Sequence, residues 1–126
     1  MKPLIIIAAL IVIIIAGSCF TLSALGSESQ RLAQSLSELE QDIEKQNWEA
    51  ASEKLGEFHS KWDKVSSIWS MLVDHYEIDS IELALAQLAA YVKTRDKNEA
   101  LSRMSSLRTL IKHIPEKEAF SLQNIF

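Results

Sequence analysis

The sequence predicts an all-α protein, an N-terminal transmembrane helix followed by an antiparallel helical bundle of about four helices. Three observations predict it. Leu4 to Ala16 is an unbroken apolar run. Trp48, Leu55, Trp62, Trp69 and Tyr76 recur every seven residues, with Ala51, Phe58, Val65 and Leu72 at a second position of the same repeat. Residues three, four and seven apart share a helix face, so all 3 tryptophans fall on one stripe. Glycine (3) and proline (2) are scarce, which leaves few places to turn and favours a few long helices.

Residues 1–26 read as a membrane anchor and residues 27–126 as one bundle domain with a single modest core. A stretch of about 20 apolar residues crosses a bilayer as a helix. Gly17 to Leu25 adds only small or hydroxylated breaks to the run, and Lys2 is the only charged residue before Glu28. Three readings of this leader compete. A cleaved secretory signal needs a shorter apolar core and a better cleavage site than Ser23-Ala24-Leu25-Gly26. A lipoprotein signal finds some support in Ile15-Ala16-Gly17-Ser18-Cys19, which resembles a lipobox with Cys19 as the residue to be acylated. Phe20 stands where a small or polar residue is usual after that cysteine. The preferred reading is an uncleaved signal anchor in which Cys19 is one apolar residue of the span. Positive charge sets topology, and the short tail carrying Lys2 is easily left behind. The expectation is a single pass through the cell membrane, with the N-terminus cytoplasmic and the C-terminal domain extracytoplasmic.

The formal charge is −4, and leaving out Lys2 makes the remainder −5. Acids and bases are interspersed with no basic block, so nucleic acid is not an expected partner, because such binding runs on phosphate neutralisation. One cysteine permits no disulfide framework and no cysteine metal site.

After the leader, Leu32, Leu36, Leu39 and Ile43 form a narrow helical seam between Glu28 and Lys45. No strong breaker in Ser27-Glu28-Ser29 separates this seam from the leader. The step from Ile43 to Trp48 is out of register, and Asn47 suits an N-cap with Glu49 in the first turn. That reads as helix–turn–helix. Its competitor is one rod from the membrane to Tyr76, about 70 Å long. The Trp-rich helix is expected to end near His75-Tyr76. Asp79-Ser80 offers a cap for a third helix with the seam Ile78, Ile81, Leu85, Leu88 and Val92. Thr94-Arg95-Asp96-Lys97-Asn98 makes the next turn. A fourth helix carries Ala100, Met104, Leu107, Ile111 and Ile114, and Pro115 is expected to stop it. Phe120, Leu122, Ile125 and Phe126 are too apolar for a free end and are expected to pack back. Glu49-Ala50-Ala51-Ser52 is echoed by Glu99-Ala100-Leu101-Ser102, each opening the second helix of a hairpin. Two hairpins so joined make a four-helix bundle.

The run from Trp62 to Leu88, with Trp69 followed by His75-Tyr76-Glu77-Ile78-Asp79-Ser80-Ile81, resembles a bacterial family known as domain-of-unknown-function 4363. The ending Leu122-Gln123-Asn124-Ile125-Phe126 is similar to that family's ending. The resemblance implies a small uncharacterised membrane-anchored helical protein of bacteria, Gram-positive ones in particular, working beside partner membrane proteins. It supplies no catalytic residues.

Chemistry has one candidate place, the His75–Glu82 corner. If residues 75–79 are extended, His75, Glu77 and Asp79 point the same way and form a metal-ligand set, with Asp74 or Glu82 in support. Zinc sites usually recruit more histidine or cysteine than that. On a helix only His75 and Asp79 are neighbours, and the carboxylates then serve as a cap and a dipole-favoured charge. No phosphate loop, nucleophile elbow or HExxH motif occurs, so no enzyme and no cofactor is expected. The stripe of Trp48, Trp62, Trp69 and Tyr76 is either the bundle core or a docking face for a partner. The function expected is an interaction or accessory module for another envelope membrane protein. The alternative is extracytoplasmic binding or sensing of a cation or small ligand at the His75–Glu82 corner.

Overall fold

The computed structural model describes residues 1–125, with side chains given for all of these except 121–123 and 125. The described residues form four helices and no strand: α1 (Lys2–Glu44), α2 (Trp48–Trp69), α3 (His75–Lys93) and α4 (Lys97–Ile125). α1 packs against α2 and α4, and α3 packs against the same two. Short connections make neighbours antiparallel, so the helices close into a bundle in chain order.

α1 runs unbroken from the apolar leader into its seam, because neither Gly17 nor Gly26 removes a backbone hydrogen bond. Its outer half, including Leu4 to Ile15, is exposed, whereas Leu25, Leu32, Leu36, Leu39 and Ile43 lie in the core. The helix is long and apolar enough to cross a membrane, with a mean hydropathy of 2.9 in its most apolar window. It does not continue to Tyr76. Gln46 takes a left-handed φ of 59°, and its N–H and that of Asn47 donate to the carbonyls of Ile43 (3.0 Å) and Asp42 (2.8 Å). That pair of bonds closes a helix C-terminus by the Schellman pattern. Asn47 then occupies the N-cap of α2 without a side-chain capping bond.

The end of α2 differs from expectation. It stops at Trp69, so the helix is about 33 Å long and the stripe is shorter than the heptad pattern implied. Leu72 is 46% and Tyr76 73% exposed, both beyond the helix end. The reason is a nearer cap: Asp74, not Asp79-Ser80, starts α3, its Oδ1 accepting from Tyr76 N–H at 3.1 Å. The α3 seam Ile78, Ile81, Leu85, Leu88 and Val92 is buried throughout. The α3–α4 turn repeats the first one. Arg95 takes a φ of 58°, and Arg95 and Asp96 N–H donate to Val92 (3.2 Å) and Tyr91 (2.9 Å). The short sequence echo therefore has a conformational counterpart.

α4 buries Ala100, Met104, Leu107, Ile111 and Ile114, but Pro115 does not end it. Proline lacks the N–H that would bond to the carbonyl four residues back, here that of Ile111. Ser29 of α1 supplies the missing donor, its Oγ lying 2.9 Å from the Ile111 oxygen in a buried site. With that carbonyl satisfied, the helix continues to Ile125. Phe120 does not pack back, being 64% exposed. The side chains of Leu122 and Ile125, and Phe126 altogether, lie outside the described residues.

Candidate functional site

The tryptophan stripe lies inside the bundle. Trp62 and Trp69 are buried, their rings meeting edge to face at 5.8 Å and 86°, a favourable aromatic arrangement. Ala51, Leu55 and Phe58 are buried with them, and Trp48 and Val65 pack at the margin. The Trp62 Nε1–H has no hydrogen-bond partner among the described residues. The ring thus serves as packing volume. Tyr76 belongs to α3 and points to solvent, so it is not part of this layer.

The His75–Glu82 corner is helical from His75 onward, which rules out the extended arrangement. A helix turns about 100° per residue, so Glu77 faces away from His75 and Asp79. Glu77 is buried and forms an ion pair with Lys117 of α4 at 2.5 Å, while Asp74, His75, Asp79 and Glu82 are exposed. The hydrogen bond that Lys117 donates to Glu77, and the charge of that carboxylate, hold the Lys117 ammonium above its usual pKa of 10.5. Among the described residues no group of three or more His, Cys, Asp and Glu side chains is placed to hold a metal ion. His59 and His113 sit near Asp63 (3.7 Å) and Glu116 (3.8 Å), each on its own helix surface. The corner's geometry ties α3 to α4, and it brings together Glu77 and Lys117 in place of His75, Glu77 and Asp79.

A concavity lies elsewhere, between α1 and α2. It encloses about 690 Å³, with Leu25, Leu32, Val65, Ile68, Trp69 and Leu72 among the residues of its wall. Glu28, Arg31, Glu38, Lys61 and Lys64 also line it, adding charges of both signs. Lys61 reaches across to Ser35 Oγ at 3.2 Å, and Lys54 pairs with Asp42 at 2.6 Å higher up. The groove begins at Ala24 and Leu25, where α1 leaves its apolar segment. The heptad pattern marked Val65, Trp69 and Leu72 of this wall without showing that a groove runs along them. The available signal was Ile68, a large apolar residue that lies off the stripe and is exposed in the groove wall. Cys19 is exposed on α1.

A family model described as a domain of unknown function (DUF4363) matches residues 19–125. No curated protein matches the chain, and no solved structure does so either.

Proposed function

Because the chain belongs to the family described as a domain of unknown function (DUF4363), we propose a function from its own geometry. The protein is a single-pass membrane-anchored module whose bundle holds another envelope membrane protein, with the bundle outside and the N-terminus cytoplasmic. The observation that carries this reading is the α1–α2 groove. Its wall is largely apolar, it carries charges of both signs, and it starts where α1 leaves its apolar segment. A partner helix rising from the bilayer beside α1 meets this groove first. Such a helix would lay an apolar face against Leu32, Val65 and Ile68, the helix-in-groove mode of recognition. Lys61 and Lys64, on the α2 side, and Glu28 and Glu38, on the α1 side, would then favour a partner whose charges are arranged to match. Cation or small-ligand binding at the His75–Glu82 corner takes second place, because Glu77 is already neutralised by Lys117.

The test is site-specific photocrosslinking in native membranes with the full-length protein. A photoreactive residue at Lys64, in the groove, is expected to give a discrete adduct with one membrane protein. The same residue at Glu82, on the exposed face of α3, is expected to give none. Adducts from Glu82 with none from Lys64 would move the interface off this groove and overturn the reading.

A further inference from the structure

We propose that the α2–α3 corner and the stretch of α4 around Glu116 are seated in the headgroup layer of the bilayer that α1 crosses, with Phe120 at its inner edge, giving the bundle a second hold on the membrane. The inference rests on the reading of α1 as a membrane span and adds a lipid surface as a direct ligand of the bundle. It comes from register. The Lys61–Ser35 and Lys54–Asp42 contacts set α2 antiparallel to α1. α2 ends at Trp69, opposite Ser27, and in the turn beyond it Leu72 shares a groove wall with Ala24 and Leu25, with Met71 next to it in the chain. The Ser29–Ile111 hydrogen bond sets α4 in the same way, and Phe120 falls opposite Phe20. A hydrocarbon core about 30 Å thick takes about 20 helical residues, so a span starting at Leu4 ends at roughly residue 23. The headgroup layer beyond it adds about 6 Å, or about four residues at 1.5 Å each. Met71, Leu72 and Ile68 therefore lie in or beside that layer, and Phe20 and Phe120 at its inner edge.

The composition of this end fits its depth. Phe20, Ile68, Met71, Leu72, Tyr76 and Phe120 are all exposed in the isolated chain, yet they gather at one end of the bundle. Amphipathic aromatics such as Tyr76 favour the membrane–water interface. Leu72 and Glu118 border a shallow groove together with Gly17, Thr21 and Leu22 of α1, so the corner lies beside the apolar segment. Glu116 falls opposite residue 24, in the headgroup layer, and Lys117 and Glu118 fall opposite residues 23 and 22, at its boundary with the hydrocarbon, where sinking deeper would be costly. The opposite end of the bundle, at the Gln46 and Arg95 turns, carries no such apolar group among the described residues.

The experiment uses the full-length protein with Cys19→Ser, reconstituted alone into phosphatidylcholine vesicles containing nitroxide-labelled lipid. A single environment-sensitive fluorophore is placed through Ile11→Cys, Met71→Cys or Glu44→Cys. The expected result is strong quenching at 11 by nitroxides deep in the acyl chains. At 71, quenching should come from nitroxides near the headgroup, with several-fold protection from aqueous iodide relative to position 44. Quenching at 11 with position 71 behaving like 44 overturns the inference and leaves the span intact. No lipid quenching at 11 removes the span and this inference with it. Protection of 71 from both lipid nitroxide and iodide means that a second copy covers the corner, and it also overturns the proposal. Met71→Asp combined with Leu72→Asp, both exposed positions, is expected to abolish lipid quenching of a label introduced by Tyr76→Cys while the bundle stays folded.

Discussion

Ser29 and Pro115 form a compensating pair across two helices. A buried carbonyl left without a donor costs about 1–3 kcal/mol, so Ser29→Ala is expected to destabilise by that amount in denaturant titration. Pro115→Ala restores an N–H to the Ile111 carbonyl from within α4. In that background Ser29→Ala should cost close to nothing, and equal costs in both backgrounds would sink the pairing. Trp62 is 1% exposed, and Trp62→Ala is expected to cost about 3–5 kcal/mol. Tyr76→Ala should stay within about 0.5 kcal/mol, although the heptad pattern places both residues on one line. The Glu77–Lys117 pair adds a pH signature. Because its partner raises the Lys117 pKa above 10.5, the pair's contribution is complete below that value and is lost as pH climbs through the raised one. The stability gap between wild type and Lys117→Met should be level around neutrality and shrink only above pH 10.5.

At the scale of elements, glycine stands where the fold has no use for it and is missing where two turns would welcome it. Gly56 lies inside α2, and a Cβ there would meet nothing within 4 Å. Gly56→Ala should therefore stabilise by about 0.5–1 kcal/mol through helix propensity and a less flexible unfolded chain. Gln46 and Arg95 hold left-handed backbones that glycine adopts without strain. Gln46→Gly and Arg95→Gly are each expected to raise the unfolding midpoint, and a fall in either would show that the side chain contributes more than the backbone strain costs. These same elements separate what the sequence could and could not reveal. The seams of α3 and α4 were legible because periodicity reports which face is buried. The break at 45–47 was legible because the step from Ile43 to Trp48 leaves the register. The end of α2 was not, since Leu72 and Tyr76 prolong the heptad spacing past the point where Asp74 caps α3. The persistence of α4 through Pro115 depends on a serine 86 positions earlier, a tertiary fact that no local rule contains. The α1–α2 groove was equally hidden, because a concavity is made by two helices and periodicity describes one at a time.

At the scale of the whole molecule, composition divides the chain near residues 26–27, whereas the core begins earlier. Leu25 is 2% and Ser29 4% exposed within the bundle, although Leu25 belongs to the apolar leader by sequence. The same helix therefore supplies the outer end of the leader and the first layer of the core. Two purified fragments decide whether that overlap matters. One beginning at residue 22 keeps Leu25 and the Ser29 donor, and one beginning at residue 30 loses both. Removing a buried leucine typically costs about 2–5 kcal/mol, and the orphaned Ile111 carbonyl adds about 1–3 kcal/mol. The shorter fragment should unfold at markedly lower denaturant, with the largest loss of hydrogen-exchange protection around Ile111 to Ile114. Equal midpoints would mean that the bundle is complete without the leader's end. If the midpoints differ as expected, no flexible joint separates leader from bundle. Rotation of α1 about its axis would then be transmitted directly to the face that carries the α1–α2 groove.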